Sequence, residues 1–272
     1  MANLASNNAR QIYNQISGLN IYQNDDAGIQ LHIGGRGLDP NRTSNFNTRQ
    51  NSYDISADVL GYPESYYTPP AEAIKEIQIV RGAASLQYGT QFGGLINFVL
   101  KEPPNKKIDA VIRNTIGSNN QYTNFTSIGG KKNKFSFYAF YNHKRGDGFR
   151  NNSNYKSNNV YVHLKKNLSN KSELSGEVTY MNYLAKQAGG LSDRMFINNP
   201  MQSNRSRNWF ELDWLLYNFK FKHRFNEKTN LSFSLFGLDA ERNTVGFRTN
   251  RVDQVDPCLL YTSPSPRDFQ VS

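Results

Sequence analysis

From residue 107 onward the chain falls into segments of about ten residues whose character alternates with period two, as strands do when their two faces meet different surroundings. Ile108, Ala110 and Ile112 alternate with Asp109, Val111 and Arg113, and further segments run over 122–128, 135–142, 159–168, 174–183, 209–225, 231–238 and 244–252. That makes about eight strands. Their connections alternate in length: 129–133, 167–171 and 226–230 are tight, whereas 144–156 and 185–208 are long. Short turns at one end and long loops at the other describe an up-and-down antiparallel membrane barrel with its long loops outside. A soluble lipocalin-like barrel shares the pattern. No apolar run is long enough for a transmembrane helix. The mean hydropathy of −0.70 does not argue against a membrane, because strands with a polar lumen face lower it. An aromatic share of 13% fits interface girdles, and equally an aromatic-rich soluble sandwich.

The stretch 71–104, AEAIKEIQIVRGAASLQYGTQFGGLINFVLKEPP, has a different texture. Ile77 and Ile79 alternating with Gln78 and Val80 predict a short strand, which Arg81-Gly82 breaks; residues 83–88 predict one or two helical turns ended by Gly89. Gly93-Gly94 then opens a second strand over 95–100, and Pro103-Pro104 closes it because proline cannot donate to a ladder. The order IVRGAASLQYG followed by GGLINFV resembles the last part of the plug domain of TonB-dependent outer-membrane receptors. The alternative is a glycine-rich α/β domain with a fortuitous loop. Upstream, a predicted helix over 3–15 and strands over 19–23 and 30–33 resemble the start of that plug, and Gly34-Gly35-Arg36-Gly37-Leu38 resembles its second Arg-Gly element.

The resemblance implies a mixed fold. A small α/β plug spans 1–104, and antiparallel strands of an incomplete transmembrane β-barrel span 105–257, about eight of the roughly 22 strands such plugged barrels close with. Met1 is followed by ANLASNNARQIY, without the basic start, apolar core or cleavage site of a secretory signal, so the natural start and the Ton box are expected to lie upstream. The end, CLLYTSPSPRD, resembles one reading frame of a transposon adapter used for sequencing libraries, and 258–272 is read as an artefact tail. The single cysteine, Cys258, falls inside it, leaving no disulfide or thiol chemistry in the remainder.

Residues 39–70 form a long polar stretch rich in Asn, Tyr and Pro, a composition that carries binding functions. Here the resemblance is to the ferric dicitrate branch, with Leu38 to Arg42 standing where that branch has a Leu-Asn-Pro-Arg run. Asn41 intervenes before Arg42, and residues 50–55 replace the branch's apolar strand with Asp-Gly. The resemblance implies import of a ferric chelate, such as iron(III) dicitrate or a siderophore, with energy transmitted by the TonB complex and a location in the outer membrane. Another large solute, cobalamin or an oligosaccharide, is the alternative within the same architecture. It also places Arg36 and Arg81 where plug arginines pair with barrel glutamates, for which Glu177, Glu211 and Glu241 are the candidates in predicted strands. Arg42, Arg49, Arg205 and Arg207 are candidate ligand contacts, since a guanidinium fork suits carboxylates.

The net charge of +10 suggests a nucleic-acid partner, but the Lys and Arg are spread over turns and loops without a basic helix or known module. Anionic ligands or anionic outer-leaflet lipid account for the excess as well. A soluble β-rich module binding an anion or nucleic acid remains the reading from another class. His32, His143, His163 and His223 have no ligand spacing, so no metal site is expected. No nucleophile elbow, P-loop or metalloprotease helix is present, so no enzyme and no covalently bound cofactor are expected; the chelate would be cargo. Expressed alone, the chain is expected to give no heat-modifiable, protease-resistant barrel, because eight strands of a wider barrel leave two edges that hydrocarbon cannot solvate. A shift in gel mobility on boiling the refolded chain would contradict this.

Overall fold

The computed structural model describes residues 18–23, 25, 27–35, 37–40, 43, 46–57, 66–82, 88 and 93–246. The expected helices over 3–15 and 83–88 (Tyr88 excepted), Arg36, Arg42 and the tail 258–272 lie outside the described residues.

The N-terminal unit holds two small sheets. β1 (Leu19–Gln23) and β2 (Leu31–Gly35) form an antiparallel pair. β3 (Phe46–Gln50), β4 (Tyr53–Asp54), β5 (Ile74–Val80) and β6 (Gly94–Leu100) form a four-stranded sheet in the order β4-β3-β6-β5. β3 runs parallel to β6, and the other pairs are antiparallel. The strands expected around Ile77–Val80 and 95–99 lie within β5 and β6. β6 reads as a nearly continuous apolar run, and Leu95, Ile96, Phe98 and Leu100 are all buried, as a strand covered on both faces requires. Gly94 has φ +112°, and a Cβ there would stand 2.6 Å from the Val80 carbonyl oxygen, so only glycine lets β5 and β6 approach at this point.

The remainder is a wall of seven antiparallel strands in chain order: β7 (Asp109–Ile116), β8 (Tyr122–Lys132), β9 (Phe135–Gly146), β10 (Tyr155–Asn167), β11 (Ser172–Lys186), β12 (Trp209–Arg224) and β13 (Asn230–Val245). Residues 133–134, 168–171 and 225–229 make the turns at one end, and Asn133 takes φ +55° in the two-residue hairpin, a conformation that asparagine tolerates. Residues 147–154 and 187–208 make long loops at the other end, the second carrying a short helix, α1 (Asp193–Asn198), whose first turn is capped by Ser192.

β13 runs unbroken from Asn230 to Val245, past the end of the strand expected over 231–238; most of the segment expected over 244–252 lies outside the described residues, which hold seven wall strands. Asp239, Glu241 and Asn243 interrupt the apolar alternation, yet each keeps its place in register opposite Leu215, Asp213 and Glu211. Backbone pairing continues where the side-chain pattern changes.

One face of the wall is covered by the N-terminal unit, and a single apolar cluster spans both. Phe125, Phe140, Tyr161, Met181, Tyr183, Phe210, Leu212, Trp214 and Leu216 from the wall are buried with Ile29, Ile33, Phe46, Tyr53, Tyr66 and Phe98. Aromatic contacts bridge the two, Tyr66 to Phe210 at 5.5 Å and to Trp214 at 6.4 Å between ring centroids, and Tyr53 to Phe236 at 5.8 Å. Trp214 is wholly buried at this junction. Trp214→Ala in the intact protein is therefore expected to weaken the docking of the N-terminal unit by about 3–5 kcal/mol. The measurement is the urea concentration at which residues 46–100 become open to protease; an unchanged midpoint would show that docking does not depend on this ring.

Candidate functional site at the seam

The seam between the N-terminal unit and the wall is closed by polar groups at three levels. The central one is built on Asn51, at the sharp turn between β3 and β4, where Asn51 and Ser52 take φ of +46° and +77°. Its backbone N–H donates to the Phe98 carbonyl at 3.0 Å, and its Oδ1 accepts from the Leu100 N–H at 2.9 Å, so both ends of the residue are fastened to β6. That leaves Nδ2 aimed at the wall, where it donates to Glu177 Oε2 at 2.7 Å and to the Tyr161 hydroxyl at 3.4 Å. Glu177, 6% exposed, also accepts from Tyr161 at 2.6 Å and from Asn218 Nδ2 at 3.2 Å. These donors are neutral, and together they offset the cost of a buried carboxylate. Beside them Gln50 Nε2 donates to Thr179 Oγ1 at 3.0 Å and to Tyr53 at 2.6 Å.

Toward the loops, the turn around Asp25 docks on β9 and β11. The Ile29 N–H donates to the Asp25 carboxylate at 3.1 Å, Tyr183 donates to it at 2.6 Å, and the buried Lys144 donates to the Ala27 carbonyl at 3.1 Å. Burial pushes the Asp25 carboxyl above its ordinary range, against the hydrogen bonds from Tyr183 and Ile29, which pull it down. On β13, Arg242 donates to the Tyr66 hydroxyl at 2.9 Å and lies over the Tyr66 and Phe210 rings at 5.4 and 5.3 Å. Toward the turns, a cavity of about 270 Å³ opens between β6 and the wall, bordered by Lys101, Glu102, Lys165, Glu173, Lys220 and Lys222. Lys165 pairs there with Glu173 at 2.8 Å and with Glu102 at 4.0 Å, and Lys222 with Glu173 at 3.7 Å.

The residues singled out in the sequence are placed unevenly. Of the three glutamates, only Glu177 faces the N-terminal unit. Glu211 alternates with the buried Phe210 and Leu212, and Glu241 is opposite Asp213, so both stand on the other face of the wall and cannot meet a plug arginine. Arg81 follows β5 directly, its guanidinium against Gly18, where a Cβ would lie 3.2 Å from Nη1. The wall does reach the unit with an arginine of its own, Arg242, which sequence reading missed together with Asn51, Lys144 and Tyr183.

The four candidate ligand arginines do not converge. Arg49 points to the side of β3 opposite Gln50, where its guanidinium donates to Asn47 Oδ1 and the Ser52 carbonyl at 2.8 Å each and stacks on Tyr88 at 4.7 Å, with Asp54 at 3.7 Å. Its fork is occupied within the unit. Arg205 and Arg207 lie in the 187–208 loop, Arg205 half-buried with a bond to the Asn204 carbonyl and Arg207 exposed. That loop is tied to its neighbour: Arg150 donates to the carbonyls of Ala188, Gly189 and Gln202, and Asn152 to those of Gln187, Arg205 and Asn208.

Residues 1–95 match the family model of the TonB-dependent receptor plug domain. Among solved structures, the ferric citrate transporter FecA in its unliganded form is similar over 89% of this chain and 39% of its own, at 21% identity and a TM-score of 0.79. The siderophore receptor PirA from Pseudomonas aeruginosa matches at 15% identity, over 89% of this chain and 39% of its own, with a TM-score of 0.64. The FrpB iron transporter from Neisseria meningitidis matches at 12%, over 88% of this chain and 39% of its own, with a TM-score of 0.67. At these identities the likeness is one of fold, and the chain spans 39% of the length of each. No curated protein matches the sequence.

Asn51→Ala is expected to loosen the seam, because it takes a donor from a buried carboxylate and a fastening from β6, at a cost of about 1.5–3 kcal/mol. Hydrogen exchange at residues 46–54 in the intact protein should rise while exchange in β10 and β11 stays low. Equal protection in both proteins would mean that this residue does not hold the seam.

Proposed function

We propose that this chain, which carries the plug domain and leading barrel strands of a TonB-dependent receptor, is part of an outer-membrane importer of a ferric chelate such as iron(III) dicitrate or a siderophore. The observation that carries this reading is the construction of the seam. The plug is held to the wall by a shared apolar cluster together with side-chain hydrogen bonds from Asn51, Gln50, Lys144, Tyr183 and Arg242, above a charged cavity, and these polar contacts can exchange with water without melting either sheet. Iron-carrying receptors and transporters among the structures of like fold support the same cargo. The chelate binds from the loop side, where the exposed Arg207 offers a cationic fork to its carboxylates, with Arg205 and Arg42 further candidates. TonB then draws the plug aside. The protein makes and breaks no covalent bond. Import of cobalamin or an oligosaccharide is the competing reading within the same architecture.

Iron-starved cells carrying the intact gene are expected to take up radiolabelled ferric citrate or a ferric siderophore, and to lose that uptake with TonB. In Arg205→Ala/Arg207→Ala, binding should weaken about tenfold, the size of one lost charge-assisted hydrogen bond, with surface expression unchanged. Uptake of cobalamin without any ferric chelate would move the assignment to the competing reading.

A further inference from the structure

Gly176 sits within β11 on the face of the wall turned away from the plug, in register between Leu164 of β10 and Phe219 of β12. Glycine weakens a strand interior and needs a reason there. The chain supplies none: Gly176 is not among the glycines with positive φ, and a Cβ built on it would meet nothing nearer than the Asn218 carbonyl oxygen at 4.0 Å. No neighbouring ring folds over it. The result is a groove of about 440 Å³ walled by Phe135, Val162, Leu164, Val178, Tyr217 and Phe219, each 37–47% exposed. Lys166 stands at its turn-side end, two residues beyond Leu164 on the same face, with no ion pair among the described residues. Its neighbour Lys165 points the other way, to Glu173.

We infer that this groove holds one phospholipid from the leaflet on the side of the short turns, an acyl chain lying over Gly176 and a phosphate oxygen meeting the Lys166 ammonium. The inference rests on the outer-membrane reading above. An apolar trough with one cation at one end matches a molecule with one long tail and one anionic head. A protein partner of ordinary size needs about 800 Å² of surface with a polar rim, and here the rim is one lysine. The short turns of such barrels face the periplasm, where the leaflet lipid is a phospholipid.

The test uses the intact receptor in mild detergent with dioleoyl-phosphatidylglycerol added, and native mass spectrometry as the readout. The wild-type protein should retain one phospholipid. Gly176→Leu sets its Cβ in open space and fills the trough, and Lys166→Glu opposes the head; each should lower the retained fraction about tenfold, the equivalent of burying roughly two methylene groups. Lys156→Glu, outward at the opposite end of the wall, should leave it unchanged. Retention by Gly176→Leu at the wild-type level, or retention of lipopolysaccharide in place of phospholipid, would overturn the proposal. Heat-modifiability and outer-membrane fractionation of the same proteins separate the two ideas. A receptor that inserts yet ignores both substitutions sinks the lipid site alone, and one that never reaches the outer membrane sinks the reading beneath it.

Discussion

Each long wall strand has to satisfy different surroundings along its length as well as on its two faces, and most of the structure follows from this. In β12 the residues toward the plug run Phe210, Leu212, Trp214, Leu216 and then Asn218, Lys220, Lys222, while the opposite face runs Glu211, Asp213 and then Tyr217, Phe219, Phe221. The period of two never slips, but the apolar face changes sides near Leu216. Where the plug is packed, the apolar side chains turn toward it and acids face outward. Nearer the turns the apolar side chains face outward, and the inner face borders the charged cavity. β13 changes over in the same way, from Leu231, Phe233 and Leu235 outward to Asp239 and Glu241 outward.

That change of side explains what was legible in the sequence and what was not. The strands were visible because period-two alternation survives it, and the plug was visible because its Arg-Gly and Gly-Gly punctuation depends on local backbone geometry, as Gly94 shows. β13 extends past residue 238, where the sequence pattern ended its strand, because the apolar face crosses over within it. Glu211 and Glu241 were candidates because they lie in predicted strands; their apolar neighbours form the buried face here, and the acids are outside. Glu177 lies in the half of β11 where Val178 and Tyr180 face outward, so reading its local phase would have picked it out. Asn51 carried no such signal: its role comes from a positive φ that aims a neutral amide at a wall more than a hundred residues away in sequence.

The chemistry of the seam suits the displacement proposed above. A plug joined to its wall by apolar packing alone would give up its buried area in full when it moved, whereas hydrogen-bonded groups can exchange their partners for water at a modest net cost. The seam combines both: the Tyr66, Phe210 and Trp214 cluster fixes position, and Asn51, Asp25 and Lys144 supply contacts that water can replace. Glu177 remains hydrogen-bonded within the wall by Tyr161 and Asn218, so departure of Asn51 leaves it partly satisfied by its own sheet.

The bonds from Arg150 and Asn152 to the carbonyls of the neighbouring loop bear on how such a surface diversifies. Side chains that bind backbone oxygens hold a conformation without specifying the sequence of the loop they hold. Residues 187–208 can therefore exchange their exposed side chains, Phe196, Ile197 and Arg207 among them, with the frame intact, while a change at either clamp would be felt across the whole platform. Variation should accumulate between the clamps and spare them, so that the frame persists while a few outward positions drift.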